Sequence, residues 1–323
     1  MDALTDILRS LRLSGGVYFR CELSAPWGMD IGQTSVAEFH LVARGRCWLK
    51  TAGKESTICL ETGDVVVFPH GHAHILLDAP ESVALSMEAV IGNQKTENYG
   101  PVVYGGGGMP ANILCGYFEF DRKIHSPLLD ALPPFIHIKG SDATELSWLQ
   151  TTVNFICHET RALGHGTEAV VNRLVEVLFI QIMRAYVMQS TMPLGVLSAI
   201  ADAKVGLALN AMHQKPEYNW TLNELAQQAG MSRTAFSQRF HALAGQTPMH
   251  YLTMWRMQKA KNMLESGNMT MPAIAEQAGY QSESSFSKAF KKCMGISPGA
   301  CRPKIIKSGD SLHIYKPRSL KLG

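Results

Sequence analysis

No apolar run in this chain of 323 residues approaches the ~20 residues that a membrane-spanning helix requires, which excludes a helical membrane anchor. The opening Met-Asp-Ala-Leu-Thr-Asp-Ile-Leu lacks the basic-then-apolar order of a secretory leader, so the expected location is the cytoplasm. The seven cysteines (Cys21, Cys47, Cys59, Cys115, Cys157, Cys293, Cys301) contain no Cys-x-x-Cys pair and no disulfide-framework spacing, which argues for thiols, mostly buried and inert. Tyr104-Gly-Gly-Gly-Gly-Met109 is followed by no Gly-Lys-Ser/Thr and opens no long helix, so it is expected to be a flexible loop rather than a phosphate cradle. A strong overall charge is also missing, the net being +3, but the balance is uneven along the chain. Residues 216–323 hold 14 Lys and Arg against 6 Asp and Glu, a net of +8, which leaves −5 for the residues before them. A basic carboxy-terminal surface of this kind attracts phosphates whatever the base sequence, through counterion release.

The basic third writes one pattern twice, about 50 residues apart. Leu225-Ala-Gln-Gln-Ala-Gly-Met-Ser232 with Phe236, Phe240, Gly245 and Pro248 is echoed by Ile274-Ala-Glu-Gln-Ala-Gly-Tyr280 with Phe286, Phe290, Gly295 and Pro298. Ala226 and Ala275 are small enough for two helices to cross closely, and Gly230 and Gly279 stand where an interhelical turn needs positive φ. The paired Phe residues make an i, i+4 apolar stripe that pins the second helix of each pair, leaving its other face to Ser, Thr, Gln, Arg and Lys. Such a face suits base edges and phosphates in a major groove. A helical solenoid is the competing reading, but two units rarely suffice for one and the polar faces would then lack a purpose.

These residues, with the closing Gly295-Ile-Ser-Pro-Gly-Ala-Cys-Arg302, resemble the DNA-binding domain of the AraC/XylS transcriptional regulators. Cys301 departs from the aromatic usual at its position. The resemblance implies double-stranded DNA and RNA polymerase as partners. By position it implies Arg233, Thr234, Ser237 and Gln238 as contacts of a first reading head, and Glu283, Ser284, Ser287 and Lys288 of a second, with Arg239 expected as a phosphate contact beside the first. Helical spacing independently sets these opposite the Phe pairs. The expected elements are a first helix near Leu197–His213, pairs 221–229 with 232–244 and 271–278 with 282–293, and a long joining helix after Pro248. Thr221 and Glu224 form a capping box. If the joining helix holds the heads one DNA turn apart, roughly 34 Å, both enter successive major grooves.

The first third has another texture. Short β-rich runs (Gly16–Leu23, Ala37–Val42, Cys47–Thr51, Asp64–Phe68, Ser82–Leu85) are parted by Gly, Pro and Asp, which predicts a barrel or sandwich. Gly63-Asp-Val-Val-Val-Phe-Pro-His-Gly-His-Ala-His74 is similar to the second cupin motif, and Glu38 seven residues before Gly45 is similar to half of the first. The His-x-His of cupin enzymes is missing, Gly32-Gln-Thr34 standing in its place. The segment resembles the cupin-like sensor domains that precede AraC-type DNA-binding domains.

Strand alternation places Glu38 and His40 on one face, and His72 and His74 on one face of another strand. His40, His74 and Cys115 form a candidate set for zinc or another divalent metal, with Glu38 or His72 as a fourth ligand; the competing reading is an exposed turn and a hydrogen-bonded core histidine. Cys21 and Cys115 are candidates for redox sensing, weighed against inert core thiols. After Pro133-Pro134, apolar stripes (Leu146, Leu149, Val153, Ile156; Val170, Leu174, Val177, Leu178) predict two helices around Gly164-His-Gly166. They serve either a homodimer contact, as the resemblance implies, or burial against the barrel.

The fold expected is therefore α+β in two domains, a cupin-like β-barrel followed by helices and an all-α domain with two helix-turn-helix units. The boundaries expected are 1–130 for the barrel, 131–195 for the helical connector with a linker at Met192–Gly195, 196–305 for the DNA-binding domain and 306–323 for a tail. The function expected is sequence-specific transcriptional regulation, without enzymatic activity, in response to a small effector, metal or redox signal. Two alternatives are a metal-dependent cupin oxygenase or isomerase fused to a DNA-binding module, and an architectural or methyl-transfer repair protein using Cys115 or Cys21 as acceptor.

Overall fold

Short β-branched runs cut by Gly, Pro and Asp build the amino-terminal half as strands, and 3.6-residue apolar spacing builds the rest as helices. In the computed structural model the described residues are 2–51, 56–92, 94, 99–120, 127–140, 147–189 and 195–302. In chain order they form α1 (Ala3–Ser10), β1 (Ser14–Ser24), β2 (Gly28–Ile31), β3 (Ala37–Arg44), β4 (Arg46–Thr51), β5 (Ile58–Glu61), β6 (Val65–Phe68), β7 (His74–Leu77), β8 (Leu85–Ser86), α2 (Met87–Ile91), β9 (Pro101–Gly105), β10 (Pro110–Glu119), α3 (Pro127–Asp130) and β11 (Ile136–Ile138). Helices follow: α4 (Ser147–Ala162), α5 (Thr167–Gln189), α6 (Val196–Ala201), α7 (Val205–Gln214), α8 (Leu222–Gln228), α9 (Arg233–Ala244), α10 (Pro248–Ser266), α11 (Met271–Gln277), α12 (Glu283–Met294) and α13 (Pro298–Cys301). Leu146, Met192–Leu194 and the tail 306–323 lie outside the described residues. The chain divides into two units, Met1–Trp255 and Arg256–Gly323.

In the first unit two sheets face each other, one ordered β11-β6-β3-β10-β1-β9 and the other β5-β4-β7-β2-β8. Phe19, Cys21, Val42, Val66 and Phe68 point from the larger sheet into the space between them and meet Met29, Leu49 and Leu76 of the smaller. The larger sheet is buried on its back as well, where Phe39, Leu41 and Phe118 meet Ile156 of α4 and Val171, Val175 and Phe179 of α5. That double burial explains why six consecutive residues of β3, Ala37 to Val42, are all inaccessible, where a half-solvated strand would alternate. Gly15 permits the close approach of α5, since a Cβ there would stand 2.7 Å from Val175 Cγ1. In the middle of β1 the pairing with β10 slips between Val17 and Phe19, so Tyr18 is the extra residue of a bulge.

The same buried cluster runs on through α6 and α7 into the first helix-turn-helix, α8 and α9, with Leu209, Met212, Leu225, Ala226, Phe236 and Phe240 among its members. Thr221 and Glu224 cap α8 reciprocally, Thr221 Oγ1 accepting from the Glu224 amide at 3.2 Å and Glu224 Oε2 from the Thr221 amide at 2.7 Å. Gly230 and Gly279 have φ of +59° and +77°, the left-handed turn expected of them. The second unit has its own core of Met257, Leu264, Ile274, Ala275, Phe286 and Phe290.

Two expectations are corrected. The helix expected over Leu197–His213 is broken into α6 and α7, because Asp202 turns its Oδ1 onto the amides of Lys204 (3.0 Å) and Val205 (2.8 Å) and starts a new helix there. The run Ser82–Leu85 is not a strand: only Leu85 and Ser86 pair, and Val83 is 81% exposed. Among the described residues no helix is long and apolar enough to cross a membrane.

Candidate functional site

The two helix-turn-helix units are built alike. Ser232 opens α9 by accepting a hydrogen bond from the Ala235 amide, and Ser282 opens α12 by accepting one from Ser285. Phe236 and Phe240, and Phe286 and Phe290, are fully buried, whereas Arg233, Thr234, Gln238 and Arg239 on α9 and Glu283, Ser284 and Lys288 on α12 are exposed. Ser237 and Ser287 occupy matching half-buried positions. Each helix is thus held by its apolar face and closed by a left-handed glycine, Gly245 (φ +72°) or Gly295 (φ +74°), so its outer ridge is presented without being used for packing. Arg239 differs from the others. Its Nε donates to Asp202 Oδ2 at 2.8 Å, and this guanidinium, with the Val205 and Lys204 amides, overcomes the effect of burial and holds the Asp202 carboxyl below its usual range. Arg239 therefore also ties α9 to the α6–α7 turn.

A second constellation lies between the sheets. Glu38, His40 and His74 are all buried, and their ligand atoms lie within 4.8 Å of one another. His74 Nδ1 is 2.8 Å from the His72 carbonyl, an acceptor only, so that nitrogen carries the proton and Nε2 the lone pair. His40 Nε2 then donates to His74 Nε2 at 2.7 Å, and His40 Nδ1 accepts from the Cys115 thiol at 3.2 Å. The Phe68 ring stacks on His74 with centroids 3.6 Å apart. Burial holds the His74 imidazole down at about 4 and, with His74 beside it, holds His40 well below its ordinary value, so both rings are neutral at pH 7. Burial pushes Glu38 up to about 7 against a hydrogen bond from Thr34, and Glu38 Oε2 is buried with no hydrogen-bond partner among the described atoms.

The ligand set expected from sequence is rearranged by this geometry. His72 does not share a strand face with His74: β7 begins at His74, and His72 sits in the preceding loop with its side chain exposed. Cys115 meets the nitrogen of His40 that points away from His74, so it backs His40 rather than joining the Glu38–His40–His74 group. Cys21 and Cys115 do come together. The hydrogen bond with Cys21, and then burial, raises the Cys115 thiol well above its ordinary value, which disfavours the reactive thiolate. Tyr104–Met109 enters β9 and a loop, with no long helix after it.

The family described as Cupin matches residues 2–188, and the one described as Helix-turn-helix domain matches residues 225–304. A protein of Streptomyces antibioticus that carries the name of an AraC-like transcription regulator is 30% identical over 306 residues, 94% of this chain and 98% of its own length. The RCS-specific HTH-type transcriptional activator RclR of Escherichia coli (strain K12) is 28% identical over 308 residues, 94% of this chain and 98% of its own. Among solved structures, the DNA-binding domain of AdpA in complex with a target DNA is 27% identical, covers 29% of this chain and 84% of that one, and has a TM-score of 0.28.

Proposed function

The chain belongs to the AraC-like transcription regulators with a cupin domain, DNA-binding proteins by family, and from that premise we propose which residues read DNA and what the barrel responds to. Arg233, Thr234, Ser237 and Gln238 of α9 form one base-reading ridge, and Glu283, Ser284, Ser287 and Lys288 of α12 the other. The observation that carries this is the repeated burial pattern: in both helices the Phe pair is inaccessible while the polar positions between stand out to solvent or half-out. Gln238 is suited to adenine and Glu283 to the amino group of cytosine, while Arg239 and Lys288 are suited to phosphates. The heads bind double-stranded DNA in the cytoplasm and present the protein to RNA polymerase.

The signal enters through the barrel, and the residues there fit a divalent metal better than a redox couple. Glu38 has an orphaned buried oxygen, and its carboxylate lies with the His40 and His74 nitrogens inside 4.8 Å, whereas the Cys115 thiol is held protonated. Glu38, His40 and His74 would hold the ion, zinc being suited to such N/O donors, and it would supply positive charge to a buried carboxylate. A metal-dependent cupin oxygenase or isomerase is not favoured, since relatives along nearly the whole length carry names of transcription regulators. Exposed Val170, Val177, Ile180 and Met188 run along one side of α5 and support a homodimer contact there.

Footprinting followed by binding to a library of site variants tests the heads. Gln238→Ala should relax preference at one or two base pairs, by about 1–3 kcal/mol each, and Lys288→Ala should lower the salt dependence by roughly one phosphate contact while leaving base preference intact. Equal loss on every sequence for both variants would refute the assignment.

A further inference from the structure

The bulge at Tyr18 opens a cleft that neither the reading heads nor the buried histidines use. It measures about 920 Å³, within the range of small-molecule sites, and lies where β1 and β10 meet the first turns of α5. Tyr117 is paired across the sheet with Glu38 and lies on the same face of β10 as Cys115, two residues further along the strand. Tyr18 is stacked on Tyr117 with ring centroids 4.8 Å apart, and Tyr99 contributes a third aromatic wall.

The walls are aromatic and acidic. Among the described residues lining the cleft none is Lys or Arg, and Glu168 supplies a carboxylate. Its charge reaches the rings: after burial it is the next influence raising the Tyr99 hydroxyl, and it follows burial and Glu119 in raising that of Tyr117. The amino end of α5 would by itself favour an anion, but Glu168 sits in that first turn and offsets its positive end. The floor is kept open by Gly16, where a Cβ would come within 3.2 Å of the Tyr117 hydroxyl and Asn172 Oδ1. Tyr99 (φ +59°) and Leu163 (φ +47°), both lining the cleft, are two of the three non-glycine residues with positive φ among those described. Strained backbone persists only where the surroundings hold it, and it gathers at ligand sites.

We propose that this cleft is a binding site for an organic ammonium ion, held by cation–π contact with Tyr18, Tyr99 and Tyr117 and by the Glu168 carboxylate. It rests on the reading of the amino-terminal half as a sensor for its consequence, though not for its chemistry. A positive head group gains from the negative faces of the rings, and a neutral one of equal shape does not.

Calorimetric titration of the full chain with choline, benzyltrimethylammonium and spermidine tests it, each run also on Tyr117→Leu, Tyr117→Phe and Glu168→Gln, with circular dichroism to check that the variants fold. At least one cation should bind saturably, roughly tenfold tighter than 3,3-dimethylbutan-1-ol, the neutral twin of choline. Tyr117→Leu and Glu168→Gln should weaken it by about tenfold, and Tyr117→Phe, which keeps the ring face, should not. Absence of saturable binding by all three cations, equal binding of the neutral twin, or indifference to Tyr117→Leu and Glu168→Gln overturns the assignment. Binding that leaves DNA affinity unchanged upholds the site and counts against the sensor reading instead.

Discussion

Which nitrogen of His40 faces which neighbour decides what the barrel holds. Strand alternation is enough to place Glu38 and His40 together, and the turn motif brings His74 near, so most of the cluster was legible in the sequence. Two assignments needed coordinates. His72 has the right spacing from His74 but precedes the strand, and no periodicity marks where a strand begins. Cys115 is close to His40 yet on its far nitrogen, a matter of ring orientation that no sequence records. The difference is measurable. Wild-type protein should take up about one equivalent of zinc, and Glu38→Gln or His74→Ala should abolish it. Cys115→Ser, removing only the partner behind His40, should weaken binding by about 10- to 100-fold, as removal of an outer partner does. If Cys115→Ser abolishes binding and Glu38→Gln leaves it unchanged, the direct ligands are His40, His74 and Cys115 after all. Glu168 and Tyr99 were invisible for a different reason. Glu168 is far from β1 and β10 in sequence and meets them only through how α5 lies on the sheet, while Tyr99 is placed by the parallel pairing of β9 with β1, which no local pattern records.

At the scale of elements, the helices of both heads were readable to within a residue or two, because each carries its own signals: a Ser or Thr cap, a Phe pair four apart and a terminal glycine. The break between α6 and α7 was missed because Val205, Leu209 and Met212 continue a helical stripe straight from Leu197, and periodicity cannot see a chain that stops and restarts in phase. Asp202 makes the break, capping α7 and holding Arg239 of α9 at the same time. Asp202→Ala should therefore cost about 1 kcal/mol from the lost cap, read as a lower midpoint in urea denaturation. The same change releases Arg239, so affinity for DNA should hold or rise while stability falls. A fall in both together, with fold retained, would mean that Arg239 must be fixed by Asp202 in order to act. The strands β2, β5, β9 and β11 went unmarked, being short or carrying glycine and polar residues that dilute their apolar pattern.

At the scale of the molecule, repetition and burial group the chain differently. Repetition unites the two helix-turn-helix copies. Burial joins the first copy to the barrel, since one continuous core runs from Val17 and Phe39 through Phe179 and Leu209 to Phe236 and Leu252, while the second copy has a core of its own. The amino-terminal helix strengthens the first grouping. Its Ala3 amide donates to Asn210 Oδ1 of α7 at 2.8 Å, and Asp6 lies 3.7 Å from buried His213, whose Nε2 is 2.7 Å from the Tyr251 hydroxyl. Residues that share a core open together, because exposing part of it removes support from the rest. Native-state hydrogen exchange should then show α8 and α9 amides exchanging with those of β3 and β10, at one common opening free energy. Amides of α11 and α12 should form a second group with an independent value. Asn210→Ala, which removes the partner of α1, should lower the first group and leave the second untouched. Should α8, α9, α11 and α12 instead exchange as one set apart from the strands, the repeat rather than the shared core would define the cooperative unit. A signal in the barrel would then need some route other than the core to reach the first head.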